Sequence, residues 1–313
     1  MSIVEEIEFD NFEDFYNAMG PEGNLRLKLK GFVFRGQSNS EYKLLPSVLR
    51  YSKYDNKLNV YNLLMMTKLN LFSCFKSANE EATQVLLECA LLSSFYRIAN
   101  YSGLHVPNID YFIFSADETF LLEKMKKRDF CWIHNNLVEL AALAQHYGVP
   151  TRLLDWSFDE YIALYFAVQG ACAHIHEHGD LNRKFDLWAI NYRFFREQKI
   201  IPLKFIVPSY SNNRYLCAQK GVLSYFEIKF NDIFIQKKNK LVSCERNVRP
   251  MDDILETYKD MISGKVLYRI TFPYTCAKQA FSFLNKMGYN ASRIFPGYRG
   301  VVLEMKEKKY IYG

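Results

Sequence analysis

Residues 148–160, GVPTRLLDWSFDE, constrain the fold more tightly than any other stretch of the chain. Ahead of them, Ile133, Leu137, Leu140, Ala141 and Ala144 fall on one face of a helix over 132–147. Gly148 and Pro150 are stop signals for that helix. TRLLDW is short for a helix and the right length for a strand. Ser157 and Glu160 have the spacing of a capping box, and Asp159 is a second candidate cap. Tyr161 to Val168 then read as a helix with Ile162, Ala163 and Phe166 facing inward. The stretch predicts a helix stop, a short strand and a helix start in close succession.

Side chains alternate along a strand, so Arg152 and Leu154 share one face while Leu153 and Asp155 share the other. Arg152 and Asp155 therefore each need a partner from elsewhere, because a buried charge left alone is costly. Two explanations stay open. Both residues belong to internal salt bridges that fix a strand edge, or the strand end faces a cleft and they contact a ligand, as happens beyond strand ends in open α/β sheets. FVFRGQ (32–37) poses the same problem, with Arg35 at a strand end beside Gly36. Arg35, Gln37, Arg152 and Asp155 are candidates for one polar cluster. A guanidinium beside a glycine suits phosphate, whose oxygens it binds in bidentate fashion.

The rest of the chain predicts a helix over 11–20, a strand over 25–37, two helices over 58–100 joined at 76–81, and a helix over 118–130. Beyond residue 160 helix and strand alternate, with strands at 185–192, 221–230, 265–273 and 300–305 and a helix at 277–288. This is an α+β pattern with a mixed or split β-sheet and a helical insertion at 55–147. A formal charge of +6 is too mild for a nucleic-acid coat and leaves room for a local phosphate patch. The seven cysteines are odd in number, widely spaced and free of any CxxC. That argues for free thiols in a reducing cytoplasm and against disulfides or structural zinc. The segment MSIVEEIEFDNFEDF has no apolar signal core, and Lys68, Lys76 and Glu88 interrupt the most apolar region, so no membrane span is expected. HIHEH (174–178) reads as a solvated loop, with no Cys or Asp to complete a metal site. His146, at a helix end, has either a favourable dipole contact or a ligand-contacting role.

FRGQ (34–37), YKLLPSVLR (42–50), AQHYGVPTRLLDWSFDEYIALYFAV (144–168), NNRYLCAQKGVLSYF (212–226) and MGYNASRIFPGYRGVVLEM (287–305) together resemble the FRG domain. That family occurs in bacteria and phages and is named for its Phe-Arg-Gly motif. The matches extend over most of the chain and make 1–313 a single FRG domain. Tyr147 departs from the pattern, which has a second His after His146. A weaker likeness leads to ADP-ribosyltransferases, whose first strand ends in an aromatic-Arg-Gly-like step with its Arg on NAD phosphate. LLDWSFDEYIALYFA (153–167) resembles their second signature, with Ser157 at the turn. AQKGVLSYF (218–226) stands where their catalytic-Glu strand falls, and offers Gln219 and Gly221 instead. Glu227 and Glu304, on later predicted strands, are the substitutes.

The likeness implies NAD as substrate, with Arg35 on the diphosphate and Trp156 stacked on nicotinamide. It makes Arg35, Gln219 and Glu227 the candidate catalytic groups. Gln37, His146, Arg152, Asp155, Trp156 and Ser157 are the candidate ligand contacts, and no metal is implied. Two functions stay open. One is a nucleotide-binding, ADP-ribosyltransferase-like protein of bacterial or phage defence. The other is a non-enzymatic module for a nucleic-acid or protein partner, its polar motifs serving as internal scaffold.

Overall fold

The computed structural model describes residues 2–50, 80–107, 123–238 and 240–312. In chain order, β1 (Val4–Glu8), α1 (Phe12–Ala18), α2 (Asn24–Lys28) and β2 (Val33–Gln37) precede α3 (Glu81–Tyr101), β3 (Cys131–Trp132) and α4 (Asn135–His146). Next come β4 (Leu154–Ser157), α5 (Glu160–His178), β5 (Lys184–Ile190), α6 (Tyr192–Glu197) and β6 (Leu203–Ile206). They are followed by α7 (Arg214–Ala218), β7 (Gly221–Phe226), β8 (Ile228–Lys229), α8 (Phe230–Ile233), β9 (Phe234–Lys237) and β10 (Lys240–Ser243). The remaining elements are α9 (Met251–Glu256), β11 (Leu267–Pro273), α10 (Ala277–Lys286), α11 (Ala291–Ile294), α12 (Tyr298–Glu307) and α13 (Lys309–Tyr312).

Seven strands form one mixed sheet in the order β1-β11-β5-β2-β4-β7-β6. Only β1 and β11 run parallel; the other neighbours are antiparallel. The chain is thus α+β with a mixed sheet. Its two polar motifs lie on neighbouring central strands, β2 and β4. These two share a single register pair, Phe34 with Ser157. Beyond that pair the strands are not laddered together, so side chains can enter between them.

Helix α5 covers β2 and β5. Ile162, Ala163, Leu164, Tyr165, Ala167 and Val168 are all buried. A helix apolar nearly all round is one enclosed by other elements. Its N-cap is Asp159, whose Oδ1 accepts from the backbone N–H groups of Tyr161 and Ile162. Gly179, at φ 66°, closes the other end in the left-handed conformation. A Cβ built on Gly36 would lie 1.9 Å from the Ala163 carbonyl oxygen. Backbone therefore meets backbone where β2 passes under α5, and only glycine fits there.

A second apolar cluster joins α3 and α4 to the outer half of the sheet, through Leu86, Leu92, Trp132, Leu137 and Leu140 against Leu153, Leu223 and Tyr225. Residues 81–101 are one continuous helix. Residues 51–79 and 108–122, which hold much of the expected helical insertion, lie outside the described residues. Of the helix expected at 118–130, residues 123–125 form a helical turn.

Three expectations are corrected. Residues 24–28 are helical rather than strand: Leu25 and Leu29 are buried one helical turn apart, while Leu27 is 68% exposed. A strand would have put all three on one face. Residues 300–305 are part of α12, where Val301, Val302 and Met305 face solvent. A short apolar run does not separate strand from helix by periodicity alone. Residues 174–178 are not a loop but the last turn of α5. Among the described residues no three metal-ligating side chains cluster, no cysteine is in a disulfide, and no helix is long and apolar enough to cross a membrane.

Candidate functional site

The gap between β2 and β4 opens into a cleft of about 370 Å³. Arg35 enters it from β2, Asp155 and Ser157 from β4, Gln145 and His146 from the end of α4, and Gln219 from the turn before β7. Local sequence sets each of these positions. Gly148 ends α4 with φ 93°, which leaves Gln145 and His146 on its last turn. The short β4 then presents Asp155 outward between buried Leu154 and Trp156.

Arg35 is the centre of the arrangement. Its Nη1 donates to the backbone carbonyl of Asp155 at 2.8 Å and lies 3.8 Å from the Asp155 carboxylate. Its Nε is buried and has no hydrogen-bond partner among the described residues. Burial pulls the guanidinium below its ordinary pKa; Asp155 opposes this and Arg50 adds to it. The Asp155 side chain is 65% exposed, so its compensation of Arg35 is screened by water. The result is a largely buried cation with incomplete neutralisation, which favours an incoming anion.

The neighbours are fixed by a short network. Asp155 Oδ1 accepts from Gln145 Nε2 at 2.6 Å, and Gln145 Oε1 in turn accepts from the Thr151 hydroxyl. Ser157 Oγ donates to the Gln219 carbonyl at 2.8 Å, tying the start of β7 to β4. Asp159 accepts from Lys220 Nζ at 2.8 Å and from the Tyr289 hydroxyl at 3.2 Å, which holds the same corner from outside. His146 packs its ring on Tyr215 at 4.9 Å. Burial holds its imidazole below the ordinary value, Asp155 raises it and Arg299 lowers it. The ring is therefore largely neutral near pH 7.

Six residues singled out in the sequence border this cleft: Arg35, His146, Asp155, Trp156, Ser157 and Gln219. Trp156 does so without offering an open ring, being 3% exposed with its indole N–H bound to Ser224 Oγ at 2.8 Å. It is not a stacking platform; Phe166, expected to face inward, is instead the more exposed ring on the cleft wall. Gln37 is not in the cleft. It is buried, accepts from Trp188 Nε1 at 3.0 Å and donates to the Lys43 carbonyl. Arg152 is also spent inside the fold, with Nε between the two Glu88 oxygens at 2.7 and 2.9 Å and Nη2 on Glu81. The internal salt-bridge explanation holds for Arg152, and Asp155 is the residue on the open side. Glu227 follows β7, pairs with Lys229 at 3.7 Å and lines a different cavity together with Arg152. Glu304 is on a helix and accepts from Asn290 and Ser292.

Sequence reasoning missed Gln145, Asn213, Arg50 and Arg299. Gln145 was legible from spacing, since Ala142, Gln145 and His146 share one helical face. Neither Arg50 nor Arg299 lines the cleft, but Arg50 acts by charge on Arg35 and Arg299 on His146.

Residues 30–175 match the sequence model of the FRG domain. The chain carries an FRG domain. The matched range contains β2, α4, β4 and most of α5, and with them the Arg35–Gly36 step, Gln145, His146 and Asp155. The FRG arginine is thus the buried cation of the cleft, and the FRG glycine is the point of contact with α5. Asn213, Leu216 and Gln219 complete the wall from outside the matched range. No curated protein and no solved structure matches the chain.

Proposed function

We propose that the FRG cleft binds the phosphate of a nucleotide, with NAD as the candidate substrate. The observation that carries this reading is Arg35, a buried guanidinium with an unpartnered Nε and one exposed counter-charge. Its planar fork fits a phosphate, and Arg50 extends the positive field toward solvent.

In an ADP-ribosyltransferase-like reaction the glycosidic C–N bond of NAD breaks and its electron pair leaves with nicotinamide. Water or a target nucleophile adds to the oxocarbenium-like carbon and releases a proton. Asp155 is the carboxylate on the described cleft wall, so it replaces Glu227 as the group that stabilises the developing positive charge. Neutral His146 accepts the proton. Consumption of NAD would fit the conflict role that the FRG resemblance implies.

Arg152 favours the second reading for its own part of the motif, because its guanidinium is consumed by Glu81 and Glu88 and serves as scaffold. A non-enzymatic partner-binding module would use the same fold with the cleft empty of chemistry.

Calorimetric titration with NAD, ADP-ribose and pyrophosphate, together with chromatographic assay of nicotinamide release, separates the two. Binding of NAD and ADP-ribose is expected. Arg35→Ala should weaken it at least tenfold with the fold retained, and Asp155→Asn should keep binding and lose nicotinamide release. Absence of binding by all three ligands overturns the proposal. Binding without any turnover supports the cleft and removes the transferase chemistry.

A further inference from the structure

We infer that the Arg35 cleft is one part of a two-part site, and that the adjoining cavity over Tyr147 holds the planar base of the same nucleotide. This rests on the phosphate-binding reading above and adds where the rest of the ligand goes.

A second cavity of about 400 Å³ lies against the adjacent face of α4. Phe95 and Leu104 line it from α3 and the segment beyond, Leu143 from α4, Tyr147 from the turn that ends it, and Pro208 from the loop before α7. Ala142 and Asn213 line both cavities. The α4 residue shared between them carries only a methyl group, and Asn213 is the other residue at their border.

The helix explains the arrangement. Ala142, Gln145 and His146 face the Arg35 cleft, while Leu143 and Tyr147, one turn apart, face the second cavity. On α4 the Arg35 side thus carries Gln145 and His146, while the second cavity has the apolar Leu143 and the Tyr147 ring together with Glu139. His146 bridges the two, edge-on to Tyr147 at 5.0 Å and against Tyr215 at 4.9 Å. Tyr147 itself is 72% exposed, and Leu104 beside the same cavity is also exposed.

A ligand matched to this surface is anionic at one end and planar at the other. A nucleoside diphosphate has that form, with its phosphates at Arg35 and its base against Tyr147. Base stacking on an aromatic ring tolerates any base, and Glu139, His105 and Ser209 on the cavity wall offer polar contacts to a base edge. Tyr147 stands where the FRG pattern has a second His, so the ring at this position is a place where the base subsite of this chain differs from that pattern.

The test compares ADP with pyrophosphate on the whole chain, by calorimetry, in wild type and in Tyr147→Ala, Tyr147→Phe and Arg35→Ala. ADP should bind at least tenfold tighter than pyrophosphate. Tyr147→Ala should weaken ADP roughly fivefold or more and leave pyrophosphate unchanged, and Tyr147→Phe should restore ADP. Arg35→Ala should weaken both ligands. Equal affinity for ADP and pyrophosphate, or ADP binding indifferent to Tyr147→Ala, overturns the base subsite while the Arg35 reading stands. If neither ligand binds wild type, both readings fall together. Tyr147 is a solvent-facing ring, and matching melting temperatures for its variants confirm that folding is not the cause.

Discussion

Arg35 Nη1 donates to the main-chain carbonyl of Asp155 at 2.8 Å, so the bond that joins the two motifs does not use the Asp155 carboxylate. The carboxylate lies 3.8 Å away and acts on Arg35 through charge alone. Hydrogen bond and charge can therefore be separated by substitution. Asp155→Asn should leave the bond in place and make the cleft more positive. Pyrophosphate should bind Asp155→Asn about two- to fivefold more tightly at low salt, with the gain shrinking as salt is raised. Titration at two ionic strengths checks this, and weaker binding would show that Asp155 positions the anion rather than repelling it.

Arg152 belongs to the frame. Glu88 is held by Arg152, by the Trp132 indole at 2.7 Å and by Gln84 at 2.7 Å, all buried. Burial still pushes the Glu88 carboxyl up, with Arg152 as the main opposing influence. Arg152→Met strands two buried carboxylates and should cost about 3–5 kcal/mol in urea denaturation. Adding Glu81→Gln and Glu88→Gln should recover part of that loss, because the stranded charges are then gone.

Gly36→Ala should be among the most damaging single substitutions in the chain. Its Cβ would collide with the Ala163 carbonyl, and that atom belongs to helix backbone that cannot rotate aside. Relief requires α5 to move off β2. A loss of roughly 3 kcal/mol or more, or failure to fold, is expected in thermal melts.

Glu307 carries a pH dependence. It is buried on α12, and its Oε1 accepts from the Tyr165 hydroxyl at 2.7 Å. Burial raises its pKa from the ordinary 4.5 to about 7, with Glu304 adding to the rise and Tyr165 and Gln169 opposing it. The folded state thus holds the proton more tightly than the unfolded one. The stability that Glu307 contributes is complete below about pH 4.5 and is lost as pH rises through about 7. Across that window the loss is on the order of 2–3 kcal/mol. Wild type should therefore weaken relative to Glu307→Gln between pH 5 and pH 8, and parallel melting curves for the two would show that Glu307 titrates normally.

Much of this was legible where the deciding interactions are local. The 148–160 corner announces itself through Gly148, Pro150 and the Asp159 cap, each of which acts within a few residues. Arg35, His146 and Asp155 were found because they stand beside breaks in the apolar pattern, and Gln219 through the likeness to ADP-ribosyltransferases. Arg152 looked the same from its neighbours, yet its fate was decided by Glu81 and Glu88 on a helix far earlier in the chain. No local pattern carries that pairing. The strand expected at 300–305 failed for another reason: its valines are exposed, and exposure is a property of packing rather than of the run itself.

Only two strands of the sheet, β2 and β4, fall inside the stretch that matches the FRG model. Their outer neighbours, β5 and β7, both come from later in the chain. A fragment cut to residues 30–175 would keep the arginine, the glycine and the aspartate, but would expose two bare ladder edges to solvent. Such edges invite pairing with other chains. The recognisable motif is therefore the keystone of a larger arch, and dissecting it out should yield an aggregating peptide rather than a minimal binding module.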